Sequence, residues 1–226
     1  MNFDYTYIIL FGYIIFEPMT ILTNLLIFIF SIYCFKSLAK INHPYSTSFS
    51  WFVLLIGVSS CFGSLAHAVH YQSGKVFFDV IFYISNALSL VSIFFCFKSA
   101  YLYYTNDKIN PHKKITYLVI AWVVGLLIFA LIKNNFVIIK INAGIVLVYS
   151  IVSHYLVYRK TNDKGSVFVI SGIGVSFLSI IVHSLKLSIN EWFNYKDIAH
   201  VIIFFSLILI YKGVKLNAMK LKLLTK

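Results

Sequence analysis

The amino-acid sequence predicts an all-α fold: a polytopic membrane protein built as a bundle of seven transmembrane helices. Of its 226 residues, 60% are hydrophobic and only 12% are charged. Soluble domains carry roughly 25% charged residues, and the mean hydropathy here is +0.88. The apolar residues also fall into runs close to the ~20 residues that a helix needs to cross a bilayer. These observations exclude a soluble globular domain.

Seven segments have membrane-spanning length. They lie near residues 7–35, 50–71, 76–104, 115–132, 136–158, 166–187 and 192–211. Because the connections are short, we expect a single domain over residues 1–226. The first segment lacks a basic stretch before it and a small-residue cleavage site, so we expect a retained helix and not a signal peptide. Pro18 predicts a local kink in that helix.

The distribution of Lys and Arg predicts the orientation, since these residues accumulate in cytoplasmic loops. The larger group comprises Lys36, Lys40, Lys98, Lys108, Lys113, Lys114, Arg159, Lys160, Lys164, Lys212, Lys215, Lys220, Lys222 and Lys226, and the smaller comprises Lys75, Lys133, Lys140, Lys186 and Lys196. We therefore expect an external N-terminus and a cytoplasmic C-terminus, most simply in the cell membrane. The net charge of +12 then fits an anionic inner leaflet. Membrane lipids are the expected partners, and nucleic acid is not.

Polar residues inside the apolar segments indicate a site, because ionisable groups within a membrane are costly and usually functional. Helical spacing places polar residues on one stripe of each of three helices, which we expect to face the bundle interior. The stripes are Glu17, Thr20, Asn24 and Ser31; Gly57, Ser60, Ser64 and His67; and Gly172, Ser176, Ser179 and His183. With the predicted orientation, the titratable residues of helices 2, 3, 6 and 7 share the outer half of the membrane: His67, His70, Asp79, His183, Asp197 and His200.

These residue types are suited to zinc. Three imidazoles and a water form a catalytic zinc site, and a nearby carboxylate commonly orients a ligand histidine. His67, His183 and His200 with Asp79 fit this pattern, and His70 is an alternative to His67. Two other interpretations remain open: histidines that only hydrogen-bond neighbouring helices, and two histidines holding a haem.

The cysteines predict no disulfide framework. Cys34, Cys61 and Cys96 all lie in apolar segments without C-x-x-C spacing. We interpret them as buried thiols that pack as small hydrophobic residues.

Four stretches resemble the CREST superfamily, seven-helix membrane proteins that include alkaline ceramidases and adiponectin receptors. They are Glu17-Pro-Met-Thr-Ile-Leu-Thr-Asn24, Gly63-Ser-Leu-Ala-His67, Asp79 at the opening of helix 3, and Asp197-Ile-Ala-His200. The resemblance implies zinc-dependent amide hydrolysis, with His67 and His200 as ligands and Asp79 as the acidic partner. Two positions depart from the family pattern: Gly63 replaces a serine, and Lys196 replaces the second histidine of helix 7. His183 is then the residue that could supply a third ligand.

Two function classes follow. The first is a zinc-dependent intramembrane hydrolase of lipid amides or esters, in which zinc activates a water molecule. Ser64 would assist the oxyanion, and Asp79 or Glu17 would carry the proton. The alternative is a non-enzymatic receptor, sensor or transporter whose polar interior lines a ligand or proton path. Measuring bound metal separates the two classes.

Overall fold

The computed structural model describes residues 6–69, 74–105, 113–133 and 136–224, and this part of the chain contains seven helices and one β-hairpin. The helices are α1 (Pro18–Ala39), α2 (Pro44–Val69), α3 (Gly74–Tyr104), α4 (Lys113–Lys133), α5 (Phe136–Thr161), α6 (Lys164–Leu185) and α7 (Tyr195–Leu224). Among the described residues, six helices, all except α4, are identified as long and apolar enough to cross a membrane. The predicted class, an all-α membrane protein, is thereby confirmed, whereas the count of seven spans stays a prediction.

The first predicted helix is wrong at its beginning. Tyr7–Leu10 (β1) and Tyr13–Phe16 (β2) pair as an antiparallel hairpin. Phe11 and Gly12 form its turn with φ values of 51° and 83°. Two positive φ values match the twist of paired strands, and the aromatic and β-branched residues on both sides favour strand. Pro18 is therefore the first residue of α1, where its missing N–H costs nothing, and not an internal kink.

The helices form a closed ring in the order α1, α2, α3, α5, α6 and α7, with α7 packed against α1. Helix α4 lies outside this ring and contacts α3 and α5. The predicted stripe of α1 does face the interior, since Thr20, Asn24 and Ser31 are buried. The N-terminal ends of α1 and α7 lie together, because Thr20 contacts Asp197. This end of the ring carries the polar site.

Helices α6 and α7 approach closely because glycines stand between them. A Cβ added to Gly172 would lie 2.5 Å from Cγ1 of Ile210 and 2.9 Å from the carbonyl oxygen of Ser206. The hydroxyl of Ser206 donates to the carbonyl oxygen of Gly172 at 2.8 Å. The contact is therefore backbone against backbone and leaves no room for a larger residue.

Candidate functional site

Glu17 joins three elements of the fold. It has a left-handed backbone conformation, with φ 47°, at the junction of the hairpin and α1, and it is only 5% exposed. Oε1 accepts a hydrogen bond from Nζ of Lys196 in α7 at 2.6 Å, and Oε2 accepts from Nδ1 of His67 in α2 at 2.5 Å. Burial alone raises the pKa of Glu17, but His67 and Lys196 outweigh it and lower that pKa to about 2. The Glu17 carboxylate is therefore ionised and ties α1 to α2 and α7.

Asp197 is fully buried and positions the start of α7. Its Oδ2 accepts from the backbone N–H of Asn194 at 2.8 Å, while Oδ1 of Asn194 accepts from the backbone N–H of Lys196 at 2.9 Å. These two hydrogen bonds satisfy N–H groups that have no partner within the helix. The other oxygen of Asp197 accepts from the hydroxyl of Thr20 at 2.7 Å. Asp197 therefore caps α7 and fixes it against α1.

His67 and His200 each have one ring nitrogen, Nδ1, held by a neighbouring side chain. The Nδ1–H of His67 donates to Glu17. Nδ1 of His200 lies 3.1 Å from the hydroxyl of Thr23, whose single hydrogen has a backbone acceptor, the carbonyl oxygen of Met19, at 3.0 Å. The Thr23 oxygen therefore accepts from Nδ1–H of His200, which places the free lone pair of the ring on Nε2. This arrangement, with one ring nitrogen held by a neighbour, is typical of metal-binding histidines.

His183 has a different neighbour. Its Nδ1 lies 3.2 Å from Nζ of Lys140. Because an ammonium group only donates, Nδ1 accepts in this contact and the ring hydrogen lies on Nε2. In the described ranges, no group of three or more His, Cys, Asp or Glu residues is arranged to hold a metal ion. Zinc and its three predicted ligands, His67, His183 and His200, therefore stay a prediction.

A cavity of about 340 Å³ opens beside His183 and His200. Its size falls within the range of small-molecule sites, roughly 300–1,000 Å³. Lys140, His183 and His200 line it near the ends of α5, α6 and α7 that meet at the polar end of the ring, and the described lining contains no Asp or Glu. The rest is mainly apolar and includes Phe52, Ile56, Ile93, Leu147, Ile180, Ile203, Leu207 and Ile210.

Two other predicted site residues, Ser64 and Asp79, do not line this cavity. The hydroxyl of Ser64 is buried and donates to the carbonyl oxygen of Ile21 at 3.3 Å, which ties α2 to α1. Asp79 is half-buried in α3, and within the described part of the chain the structure gives it no hydrogen bond or ion pair. Among the described residues, therefore, no hydrogen bond or ion pair joins Asp79 to His67 or to Glu17. His70 lies outside the described residues.

Sequence reasoning missed two lysines of the site. Lys140 stands inside an apolar run and faces the cavity, but it was used only to predict orientation. The rule that ionisable residues within a membrane are usually functional would have selected it. Lys196 was noted only as a departure from the CREST pattern. Its pairing with Glu17, 179 residues away in the chain, has no local sequence signal.

The fold and the site define a class: a helical integral membrane protein with a buried polar cluster at one end of a helix ring. Within that class, the chain belongs to a family of unknown function, DUF6962, whose model matches residues 19–219. The match covers nearly all of the span from α1 to α7 and omits the amino-terminal hairpin. No curated protein and no solved structure matches the chain.

Proposed function

We propose that this protein crosses the membrane seven times and binds a lipid-like amphiphile in the cavity between its helices. The polar head of the ligand lies at Lys140, His183 and His200, and its apolar tail extends along α3, α5 and α7. The observation that carries the proposal is the polarity of the cavity. Its charged and imidazole groups come together at one end of the ring, and most of the remaining lining is apolar. A single amphiphile satisfies both parts, whereas water satisfies only one.

The lining favours a head group with several acceptor oxygens. Lys140 donates through its ammonium group, and the tautomer of His183 presents Nε2–H as a second donor. With no acidic residue in the described lining, a carboxylate, phosphate, amide or ester head meets no charge repulsion. The proposal therefore belongs to the binding class of receptors, sensors and transporters.

A zinc-dependent lipid hydrolase is the second proposal. It is supported by the resemblance to the CREST superfamily and by the neighbouring side chains that hold Nδ1 of His67 and of His200. The contact between His183 and Lys140 opposes it, because that contact occupies one ring nitrogen of the predicted third ligand and places a cation beside it. We therefore assign no hydrolytic step to zinc. Bound metal and lipid turnover decide between this proposal and the first.

Filling the cavity tests the first proposal. Gly144 lines the cavity, and a Cβ at this position would meet no atom within 4 Å. Gly144→Phe should therefore occupy the space of the ligand without forcing α5 from its place. Gly125 in α4 also has open space around it and does not line this cavity, so Gly125→Phe is the matched control.

Native mass spectrometry after release from detergent is the measurement. We expect the parent protein and Gly125→Phe to retain one bound lipid, and Gly144→Phe to lose it while keeping the same thermal stability. A parent protein that carries no lipid, or a Gly144→Phe variant that retains it, would contradict the proposal.

A further inference from the structure

The amino-terminal hairpin exposes apolar side chains on both faces. Phe11 at the turn is 91% exposed, and Ile9 and Tyr13 are 68% and 65% exposed. All four residues of β1 are exposed, whereas β2 is partly covered where it packs against α2. From Tyr7 to Phe16 the chain contains no charged residue, and its polar side-chain groups are the two tyrosine hydroxyls.

Neither water nor the hydrocarbon core suits such a hairpin. In water, an apolar hairpin whose first strand is exposed along its whole length is a template for aggregation. In the hydrocarbon core, the backbone groups along the outer edge of β1, beside which the described residues place no further strand, would have no partner. At the membrane interface, the apolar side chains reach the acyl chains, while the edge of β1 and the tyrosine hydroxyls reach water and head groups.

The hairpin is also continuous with the surface that faces lipid. It runs into α1 through Glu17 without a spacer. The exposed face of α1 continues in apolar residues, with Leu22, Leu26 and Ile29 all at least 46% exposed. We propose that Tyr7–Phe16 lies in the interfacial region of the leaflet where α1 begins, with Phe11 inserted among the acyl chains. Bilayer lipid is therefore the partner of this surface.

This placement has a consequence for Glu17. The hairpin ends at the residue that pairs with His67 and Lys196, so lipid contact by the hairpin fixes the depth of the polar cluster in the membrane. The inference does not depend on what the cavity binds.

A spin label at the turn tests the proposal. Phe11→Cys is suited to this because the side chain makes almost no packing contact that could be lost. Glu191→Cys, an exposed position in the loop before α7 at the same end of the ring, is the matched control. The otherwise unchanged protein, labelled identically, gives the background from Cys34, Cys61 and Cys96. Collision rates with oxygen, which partitions into lipid, and with a water-soluble nickel chelate are measured in phosphatidylcholine nanodiscs holding one protein each.

We expect the label at position 11 to collide more with oxygen than with nickel, and the label at position 191 to show the reverse. If the two labels show the same preference for nickel, the hairpin lies in water and the proposal is wrong. Shielding of position 11 from both reagents would also overturn it, because another part of the chain would then cover the hairpin. In the case of such shielding, nanodiscs that hold two proteins each identify the cover. Spin–spin broadening that appears only in these discs would show that a second copy is the partner instead of lipid.

Discussion

Replacing Glu17 with glutamine should destabilise the protein by about 3 kcal/mol. The pKa of Glu17 is about 2 in the folded protein against an ordinary value of 4.5, because His67 and Lys196 outweigh the effect of burial. At about 1.36 kcal/mol per pKa unit, that difference corresponds to about 3 kcal/mol of stabilisation. Because the folded pKa is the lower one, the stabilisation is complete above pH 4.5 and is lost as the pH falls towards 2. Glutamine keeps the size of the side chain and removes this contribution.

Unfolding in mixed micelles of a mild detergent and dodecyl sulfate measures the effect. Glu191→Gln, which changes an exposed acid at the same end of the ring, is the control and should stay within about 0.5 kcal/mol of the parent. Adding Lys196→Met to Glu17→Gln should recover part of the loss, because the charge whose partner was removed is then removed as well. If Glu17→Gln matches the control at neutral pH, the carboxylate does not hold the helices together as argued.

Three further predictions concern packing, metal and orientation. Gly172→Ala should cost about 1–3 kcal/mol, because its Cβ would meet Ile210 at 2.5 Å; Gly174→Ala on the same helix has open space and should be neutral in the same unfolding assay. For the zinc site, we expect elemental analysis to find close to one zinc ion per protein. This zinc should be lost when any of the three predicted histidine ligands is replaced by alanine. No metal in the parent, or metal retained in all three variants, refutes the zinc site. For the predicted orientation, with a cytoplasmic C-terminus, we expect alkaline phosphatase fused there to be inactive and a fluorescent protein fused there to be bright. The opposite pattern would reverse the orientation.

The helices were predictable because each one needs only local information. Twenty or so apolar residues specify a spanning helix whatever its neighbours are, and the polar stripe of Thr20, Asn24 and Ser31 specified its buried face. The hairpin was missed because its ten residues are as apolar as a helix, so hydropathy alone could not separate the two. The turn Phe11-Gly12 between two strand-forming runs was the available signal.

Which residues belong to the site was easier to predict than which of them contact one another. Glu17, His67 and His200 were selected from sequence, and the structure places them at one end of the ring. Their hydrogen bonds depend on which helices are adjacent, and sequence spacing does not specify adjacency. For the same reason the contact between His183 and Lys140 has no sequence signal.

The ring closes where the first helix meets the last, and this determines when the site can form during synthesis. Thr20 and Asp197 are 177 residues apart in the chain, as are Thr23 and His200. While the earlier helices enter the membrane, Glu17 and Thr20 lack the hydrogen-bond partners that α7 supplies. A chain that stops before α7 therefore lacks the ammonium group of Lys196 and the carboxylate of Asp197, which pair with Glu17 and Thr20. The polar cluster can thus be completed only after the last helix has been made.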